Sequence, residues 1–343
     1  MDKKELNTTG LTLNAQKQQK VALITGITGQ DGSYLAEFLL EKDYEVHGIV
    51  KRESLEDEEK LKNIKHIKNS IFLHEGSLND HLSIYKIFSK VLPDECYHLS
   101  ASSFVNYSFN DEFQTMSNNF NSTHYLLSTI RELKKECKFY FAGSSEMFGE
   151  PNETPQTENT PFHPKSIYGI SKVSSHYLLK NYREKENIFA CTGIMYNHES
   201  PRRGNQFVTK KIISSAVKIK KGLQDKLFLG NLDAKRDWGY SPDYVKAMWQ
   251  ILQANKPDDY ILATGNLHTV RDFLDITFSC LGLNYKDYVQ IDPNFFRASE
   301  HNPLCGIPKK IKDALGWENS KSLEEIIKEM LEVELQKYDA DKK

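Results

Sequence analysis

The sequence lacks a hydrophobic run long enough to cross a bilayer, a close cysteine or cysteine–histidine pairing, an excess of either charge, and any internal repeat. Each absence removes a class of protein. A spanning helix needs about 20 mostly apolar residues in succession, so no membrane span is expected. Formal net charge is −2 over 343 residues and the basic residues are dispersed, which leaves no footprint for nucleic acid. Five cysteines, Cys96, Cys137, Cys191, Cys280 and Cys305, are odd in number and widely spaced. Three of them lie in or beside apolar runs, so buried free thiols in a reducing compartment are expected, and no metal site. Residues 1–19 are polar and carry no hydrophobic segment. They read as a flexible leader rather than a signal peptide, in a cytoplasmic protein.

What is present begins at Lys20, where Lys20–Thr25 reads as a buried parallel strand. It runs into Gly26-Ile-Thr28-Gly29-Gln30-Asp31-Gly32, which opens an apolar-periodic helix through Tyr34, Leu35, Phe38 and Leu39. Strand, glycine turn and helix in that order are the context of a dinucleotide site. Glycines allow the backbone to approach a pyrophosphate, and the helix N-terminus offers free N–H groups to it. A second strand, Tyr44–Val50, ends in Lys51-Arg52, where an NAD site would place an acid for the ribose hydroxyls. Two cations suit a 2′-phosphate, so NADP is expected in preference to NAD, with Arg52 as its ligand; a solvated basic loop is the alternative. A short third strand, Ile71–His74, leads to Ser77 and Leu78, an adenine-side loop. A fourth, Asp94–Leu99, leads to Ser100, Ala101, Ser102 and Ser103, small residues that let a cofactor lie against the backbone. A helix over 112–135 carries Asn118, Asn119 and Asn121 near its start, where an amide can hold a backbone kink or a water.

The apolar strand Cys137–Ala142 then delivers Ser144, Ser145 and Glu146, and a proline-rich loop returns the chain to a helix bearing Tyr168 and Lys172 one turn apart. Tyr with Lys four residues on is an acid/base pair, because a nearby ammonium favours the phenolate. The spacing alone is weak, since Tyr338 and Lys342 repeat it in the charged tail. Its position after a nucleotide-binding half and just downstream of Ser-Ser-Glu strengthens it. Beyond lie a strand over 188–195, a helix through Val208 and Val217, a short strand over 226–229 and a polar loop over 230–240. A helix over 241–254, a strand over 258–263 and a helix over 268–282 follow. The chain ends with an irregular stretch over 286–307 and helices over 308–315 and 322–338. No linker separates the halves. The expected fold is α/β, a Rossmann-type doubly wound parallel sheet with a smaller, interleaved C-terminal substrate-binding domain. The first domain would take residues 20–195 plus about 241–265, the second 196–240 and 266–343.

With these motifs in place the chain resembles the extended short-chain dehydrogenase/reductases, and more closely the GDP-mannose 4,6-dehydratases. Three long strings carry that resemblance: residues 21–35, residues 197–204 (Asn-His-Glu-Ser-Pro-Arg-Arg-Gly) and residues 230–239 (Gly-Asn-Leu-Asp-Ala-Lys-Arg-Asp-Trp-Gly). It implies catalytic roles for Ser144 (where the family usually has Thr), Glu146, Tyr168 and Lys172. It places Tyr168, Lys172, His198 and Arg203 at the cofactor. It assigns Ser102, Phe104, Ser145, Asn197, Val208, Lys211, Arg236, Arg297 and Glu300 to the sugar nucleotide, and a homodimer or homotetramer to the assembly. The dimer would form on the helices over 112–135 and 166–185, and in a tetramer Lys51–Ser54 would sit at a cofactor-bridging interface.

The departures fall on the sugar side. Ser102 and Phe104 stand where the dehydratases carry Gln and His, Ser77 where they carry Asp, Ala298 for Pro and Ile307 for Asp. GDP-D-glycero-D-manno-heptose is therefore a candidate substrate beside GDP-mannose. In the implied reaction, Tyr168 takes the 4-hydroxyl proton, and the hydride of carbon 4 is lent to NADP and returned to carbon 6. Glu146 takes the proton of carbon 5 and helps expel the 6-hydroxyl as water, with Ser144 orienting the groups. A C4 oxidase or epimerase on a GDP-sugar is the nearest alternative, and a cofactor-sensing regulator the next.

Overall fold

The computed structural model describes residues 19–102, 111–295 and 303–340. Ser103, Phe104, Arg297 and Glu300 lie outside the described residues. Seven parallel strands form the central sheet: β1 (Val21–Thr25), β2 (Glu45–Val50), β3 (Phe72–Glu75), β4 (Glu95–His98), β5 (Lys138–Ser144), β6 (Ala190–Met195) and β10 (Tyr260–Leu262). Their order is β10-β6-β5-β4-β1-β2-β3, and every neighbouring pair is parallel. This is the doubly wound arrangement that the strand–turn–helix pattern predicts, with its switch point between β1 and β4. β1, β5 and β6 are mostly apolar because both faces are covered, whereas β4 buries Glu95 and His98 and the edge strand β3 is partly exposed. Helices Gln30–Glu41 and Ser241–Gln253 cover one face through Leu35, Leu39, Val245 and Met248. Helices His81–Val91, Ser122–Leu133 and Ile167–Glu186 cover the other through Phe88, Leu126, Ile130 and Leu179.

The run over 112–133 is helical, with a π turn at Ser117–Asn121 where the asparagines were expected to hold a kink. The cause is local hydrogen bonding. Asn119 Oδ1 accepts from the Ser102 N–H (2.8 Å), its Nδ2 donates to Ser171 Oγ (3.0 Å), and Thr123 Oγ1 donates to the Asn119 carbonyl (2.9 Å). The side chain and freed carbonyl of a π turn are thereby satisfied, which keeps the extra residue in place.

Four short strands depart from the sequence expectation. Residues 197–199, 235–240, 267–269 and 289–291, read as loop, irregular segment or helix end, are β7 (Asn197–Glu199), β9 (Lys235–Tyr240), β11 (Leu267–Thr269) and β12 (Val289–Ile291). β9 pairs with β7 in parallel and with β11 in antiparallel. β12 pairs in parallel with β8 (Leu227–Leu229). Three-residue strands carry too little periodicity to announce themselves, and Lys235-Arg236-Asp237 reads as surface. Asp237 is instead 1% exposed, its carboxylate accepting from the Thr264 N–H and hydroxyl and from the Gly265 N–H. A separate core holds these strands to helices Val208–Lys220, Val270–Cys280 and Leu323–Ala340. All five cysteines are unpaired; Cys280 is exposed and the other four are buried, one more than the apolar runs indicated.

Lys210 joins the last helix to helix Val208–Lys220 as a buried cation, donating to Glu334 Oε2 (2.8 Å) and to the Pro201 carbonyl (3.1 Å). Glu334 also accepts from Ser214 Oγ and from Lys337. Removing one partner of a buried pair strands the other charge, so Glu334→Leu should cost about 3–5 kcal/mol of stability. The Lys210→Met/Glu334→Leu double variant should recover most of that loss. Urea unfolding of the three proteins measures both. A single variant as stable as the parent would show that the pair contributes nothing.

Candidate active site

β5 ends at Ser144, and Ser145–Met147 forms a 3₁₀ turn capped by the Ser144 hydroxyl, which accepts from the Glu146 N–H (3.2 Å). The facing helix starts at Ile167, capped by Ser166 Oγ, which accepts from the Gly169 N–H (3.0 Å). The two starts meet at Gly169, where a Cβ would lie 2.5 Å from the Glu146 carbonyl oxygen. Only glycine permits that approach, and it brings Tyr168 to the Ser144 hydroxyl, with Glu146 close enough to act on the phenol electrostatically. Behind the turn, Gln156 fastens the proline-rich loop to the wall of the site. It is fully buried, its Oε1 accepting from Tyr196 Oη (2.9 Å) and from the Cys305 N–H (2.9 Å).

The electrostatics differ from the sequence argument in one respect. Lys172 was expected to lower the pKa of Tyr168. Burial instead pushes Tyr168 up to about 12; the Ser144 hydrogen bond opposes the shift and Glu146 adds to it. Burial also drives Lys172 down to about 7. Its Nζ donates to the Ala142 carbonyl (2.7 Å) and lies over the Phe141 ring at 4.8 Å. The protein alone holds a neutral phenol beside an easily deprotonated amine. Desolvation outweighs the attraction between the charged forms.

A cleft of about 460 Å³ is lined by Gly26, Thr28, Gly29, Gln30, Asp31, Gly32, Leu99, Ser100, Ala101 and Arg203, of which Asp31 and Arg203 act electrostatically on Tyr168. Its floor fits a pyrophosphate. Gly26 has φ +76° and would carry a Cβ 2.9 Å from the Ser100 nitrogen. A Cβ on Gly32 would lie 2.2 Å from the Gly26 carbonyl oxygen. Gly29 caps the following helix without a side-chain hydrogen bond, so the helix N-terminus faces the cleft open. The same cleft takes Lys60, Lys62 and Asn63, which no sequence signal singled out. They come from the short helix Glu58–Leu61 and the turn after it, and Asn63 Nδ2 donates to the Thr28 carbonyl (3.0 Å). Arg52 is not among the lining residues; it is exposed, with Nε 3.5 Å from Glu56. Ser77 is exposed, its hydroxyl accepting from the Asn79 N–H, and Leu78 packs on the core.

On the sugar-nucleotide side, Ser102 accepts from Asn118 Nδ2 (3.1 Å), which ties it to the π turn. Ser145 is buried. Asn197 opens β7 opposite Trp238, and Arg236 lies in β9 opposite His268. Val208 begins its helix half-exposed, and one turn on Lys211 donates to the Phe228 carbonyl (2.7 Å) and lies 4.1 Å from the Phe295 ring centroid. Arg202 is drawn to the first helix, donating to Ser33 and Glu37 and stacking on Tyr34. His198 is buried with both ring nitrogens bonded within the protein. Among the described residues no cluster of His, Cys, Asp or Glu could hold a metal ion, and no helix is long and apolar enough to cross a membrane.

Comparison with known proteins places this arrangement. The family model described as GDP-mannose 4,6 dehydratase matches residues 23–330. GDP-mannose 4,6 dehydratase 1 of Arabidopsis thaliana is 47% identical over 329 residues, covering 93% of this chain and 91% of its own. The GDP-mannose 4,6 dehydratase of Homo sapiens is 42% identical over 344 residues, covering 93% and 92%. Among solved structures, UDP-glucose 4-epimerase from Thermotoga maritima superposes with a TM-score of 0.81 at 23% identity, covering 93% of this chain and 99% of its own. The dTDP-glucose 4,6-dehydratase from Bacillus anthracis, solved in complex with NAD, gives 0.80 at 18% identity, covering 94% and 98%. RMD from Pseudomonas aeruginosa, complexed with NADPH, gives 0.79 at 20% identity, covering 93% and 100%. The structural likenesses establish a Rossmann-type α/β fold, and the sequence likenesses go further: the chain belongs to the GDP-mannose 4,6-dehydratase family.

Proposed function

We propose that the protein is a hydro-lyase that converts a GDP-sugar of manno configuration to its 4-keto-6-deoxy derivative with an NADP cofactor that is regenerated in each turnover. The observation that carries this reading is the contact of Gly169 with the Glu146 carbonyl, which sets a carboxylate and a hydroxyl beside the buried phenol of Tyr168. An oxidase or epimerase needs the phenol and the amine; a carboxylate at the sugar has work only if a proton leaves carbon 5. The bound nicotinamide would accept the hydride of carbon 4 and return it to carbon 6. Ionised Tyr168 takes the 4-hydroxyl proton, with Lys172 sharing the charge of the pair, and returns that proton to carbon 5 when the hydride is delivered to carbon 6. Glu146 removes the proton of carbon 5, now acidified by the 4-ketone, and passes it to the departing 6-hydroxyl, which leaves as water. Ser144 orients the phenol and the substrate.

NADP in preference to NAD is supported by Lys60 and Lys62, which line the cleft, and by the absence of a carboxylate at the end of β2; Arg52, the ligand expected from sequence, does not line it. A side chain larger than mannose at carbon 6 is supported by Ser102, whose short hydroxyl is held at the π turn where the family's longer Gln would stand. Association through helices Glu112–Met116, Ser122–Leu133 and Ile167–Glu186 is supported by exposed Phe113 and Tyr177.

Three tests follow. Incubation with NADP and either GDP-mannose or GDP-D-glycero-D-manno-heptose, read by mass spectrometry, should show loss of one water from at least one of the two. Loss of two hydrogens with accumulating reduced cofactor would instead mean an oxidase. Glu146→Gln should abolish water loss while leaving NADPH binding intact, and unchanged turnover would remove Glu146 from the mechanism. Lys172→Met should lose about 10²–10⁴-fold in turnover yet be no less stable than the parent at neutral pH. The folded lysine sits near 7 and the unfolded one at its ordinary 10.5, so the unfolded chain binds more protons between those values. The lysine therefore weakens the fold at pH 7 and ceases to do so as pH rises toward 10.5. A less stable Lys172→Met protein would contradict that sign.

A further inference from the structure

We propose that the His198 side chain serves the cofactor site indirectly, as a fixed imidazolium that holds Asp31 and so clamps the phosphate-facing glycine turn to the strand that carries Asn197. The inference rests on the nicotinamide-dinucleotide reading of the glycine turn. His198 is 7% exposed and both of its ring nitrogens face acceptors. Nδ1 lies 2.7 Å from the Tyr196 carbonyl oxygen and Nε2 lies 2.9 Å from Asp31 Oδ2. A carbonyl and a carboxylate accept only, so both nitrogens donate and the ring is charged. No ring nitrogen remains for a ligand.

Asp31 completes the clamp. Its Oδ1 accepts from Ser241 Oγ (2.8 Å) and Gln30 Nε2 (3.2 Å). Gln30 Nε2 also donates to the His198 carbonyl (3.1 Å), and its Oε1 accepts from Ser200 Oγ (2.8 Å). Two adjacent residues of the turn thus grip β7, the segment after it, and the start of helix Ser241–Gln253. The His198 ring stacks on Tyr244 with centroids 4.6 Å apart. Asn197 precedes His198 in β7, and Arg203, which lines the cofactor cleft, follows it by five residues.

The surrounding charges agree with this assignment. Burial opposes charge on His198, but Asp31 overrides it and raises the imidazole above its usual value, with Arg203 opposing. Burial likewise opposes charge on Asp31, yet His198 and Ser241 hold it at about 2. Glu199 is raised by its own burial, with Arg203 and Thr209 opposing, and Tyr140 and Tyr168 are neutral phenols that face Asp31. The signs set the window. The contribution of Asp31 is lost only as pH falls from 3.8 toward about 2. That of His198 is complete below 6.5 and is lost as pH rises through its raised folded value. The clamp is intact at neutral pH and opens on the alkaline side.

The test is NADPH binding to the full chain, followed by fluorescence from about pH 5 to about pH 9, with thermal unfolding as the folding control. The parent should bind evenly at low pH and lose affinity at the alkaline end. Asp31→Asn should bind about tenfold more weakly at neutral pH, and its loss of affinity should begin at lower pH, because the imidazolium has lost its counter-ion. His198→Gln, whose amide can still donate to Asp31, should show no alkaline loss. If Asp31→Asn does not fold, the His198→Gln profile decides alone. An alkaline loss in His198→Gln that matches the parent's would overturn the proposal. Failure of the parent to bind NADPH at any pH would instead fall on the cofactor reading.

Discussion

Between Gly169 and the carbonyl of Glu146 there is no room for a methyl group, and the geometry of the site follows from that contact. β5 and helix Ile167–Glu186 are rigid elements whose ends would otherwise be kept apart by side chains. Glycine removes the barrier. Capping by Ser144 on one side and Ser166 on the other supplies the hydrogen bonds that each end would lack. The phenol, the hydroxyl and the carboxylate then occupy one small volume at the carboxyl end of the sheet, where ligands of doubly wound folds bind. The long proline-rich loop between them is held from behind by Gln156, so the turn cannot swing away.

A second theme is how few of the buried charges are left to titrate freely. Among the described residues no carboxylate pairs with Lys172, and burial makes it a weak base. His98 is kept neutral by burial, bonded to Thr25 and Ser122 across the inner strands. Asp31 and His198 take the opposite course and stay charged together, joining the glycine turn to β7. Lys172 keeps the Tyr168 end of the site poised between protonation states and His98 stays neutral there, whereas the pair behind the phosphate-facing turn is fixed. The difference lies in the available partners: a charge without a counter-ion is expelled by low dielectric, and one with an acceptor-saturated partner is retained.

Much of this was legible in the residues. β1 and most of β5 are apolar runs, the glycine turn has the spacing that its close contacts demand, and a π turn lies where the Asn118, Asn119 and Asn121 amides were expected to hold a backbone kink or a water. The outer strands were not legible, because β7, β11 and β12 are three residues long and acquire their character from pairing rather than from pattern. Asp237 is the clearest case. In sequence it belongs to a charged loop, and in the fold it is a buried acceptor for three donors at Thr264 and Gly265. The cations of the cofactor cleft also moved. Lys51-Arg52 drew attention by following a strand, whereas Lys60 and Lys62 line the cleft because the turn after helix Glu58–Leu61 is tied to the Thr28 carbonyl through Asn63. The acidity of Tyr168 was beyond reach, since spacing fixes which residues are near one another and says nothing of how dry their surroundings are.

The central claim is that one site removes a hydride from carbon 4 and returns it to carbon 6 of the same sugar while water leaves. Deuterium placed on carbon 4 of the GDP-sugar that the enzyme turns over tests this most directly, with the product read by nuclear magnetic resonance. Retention of the label on carbon 6, with no label in the free cofactor pool, is the predicted result. Label recovered in released reduced cofactor, or lost to solvent, would contradict it.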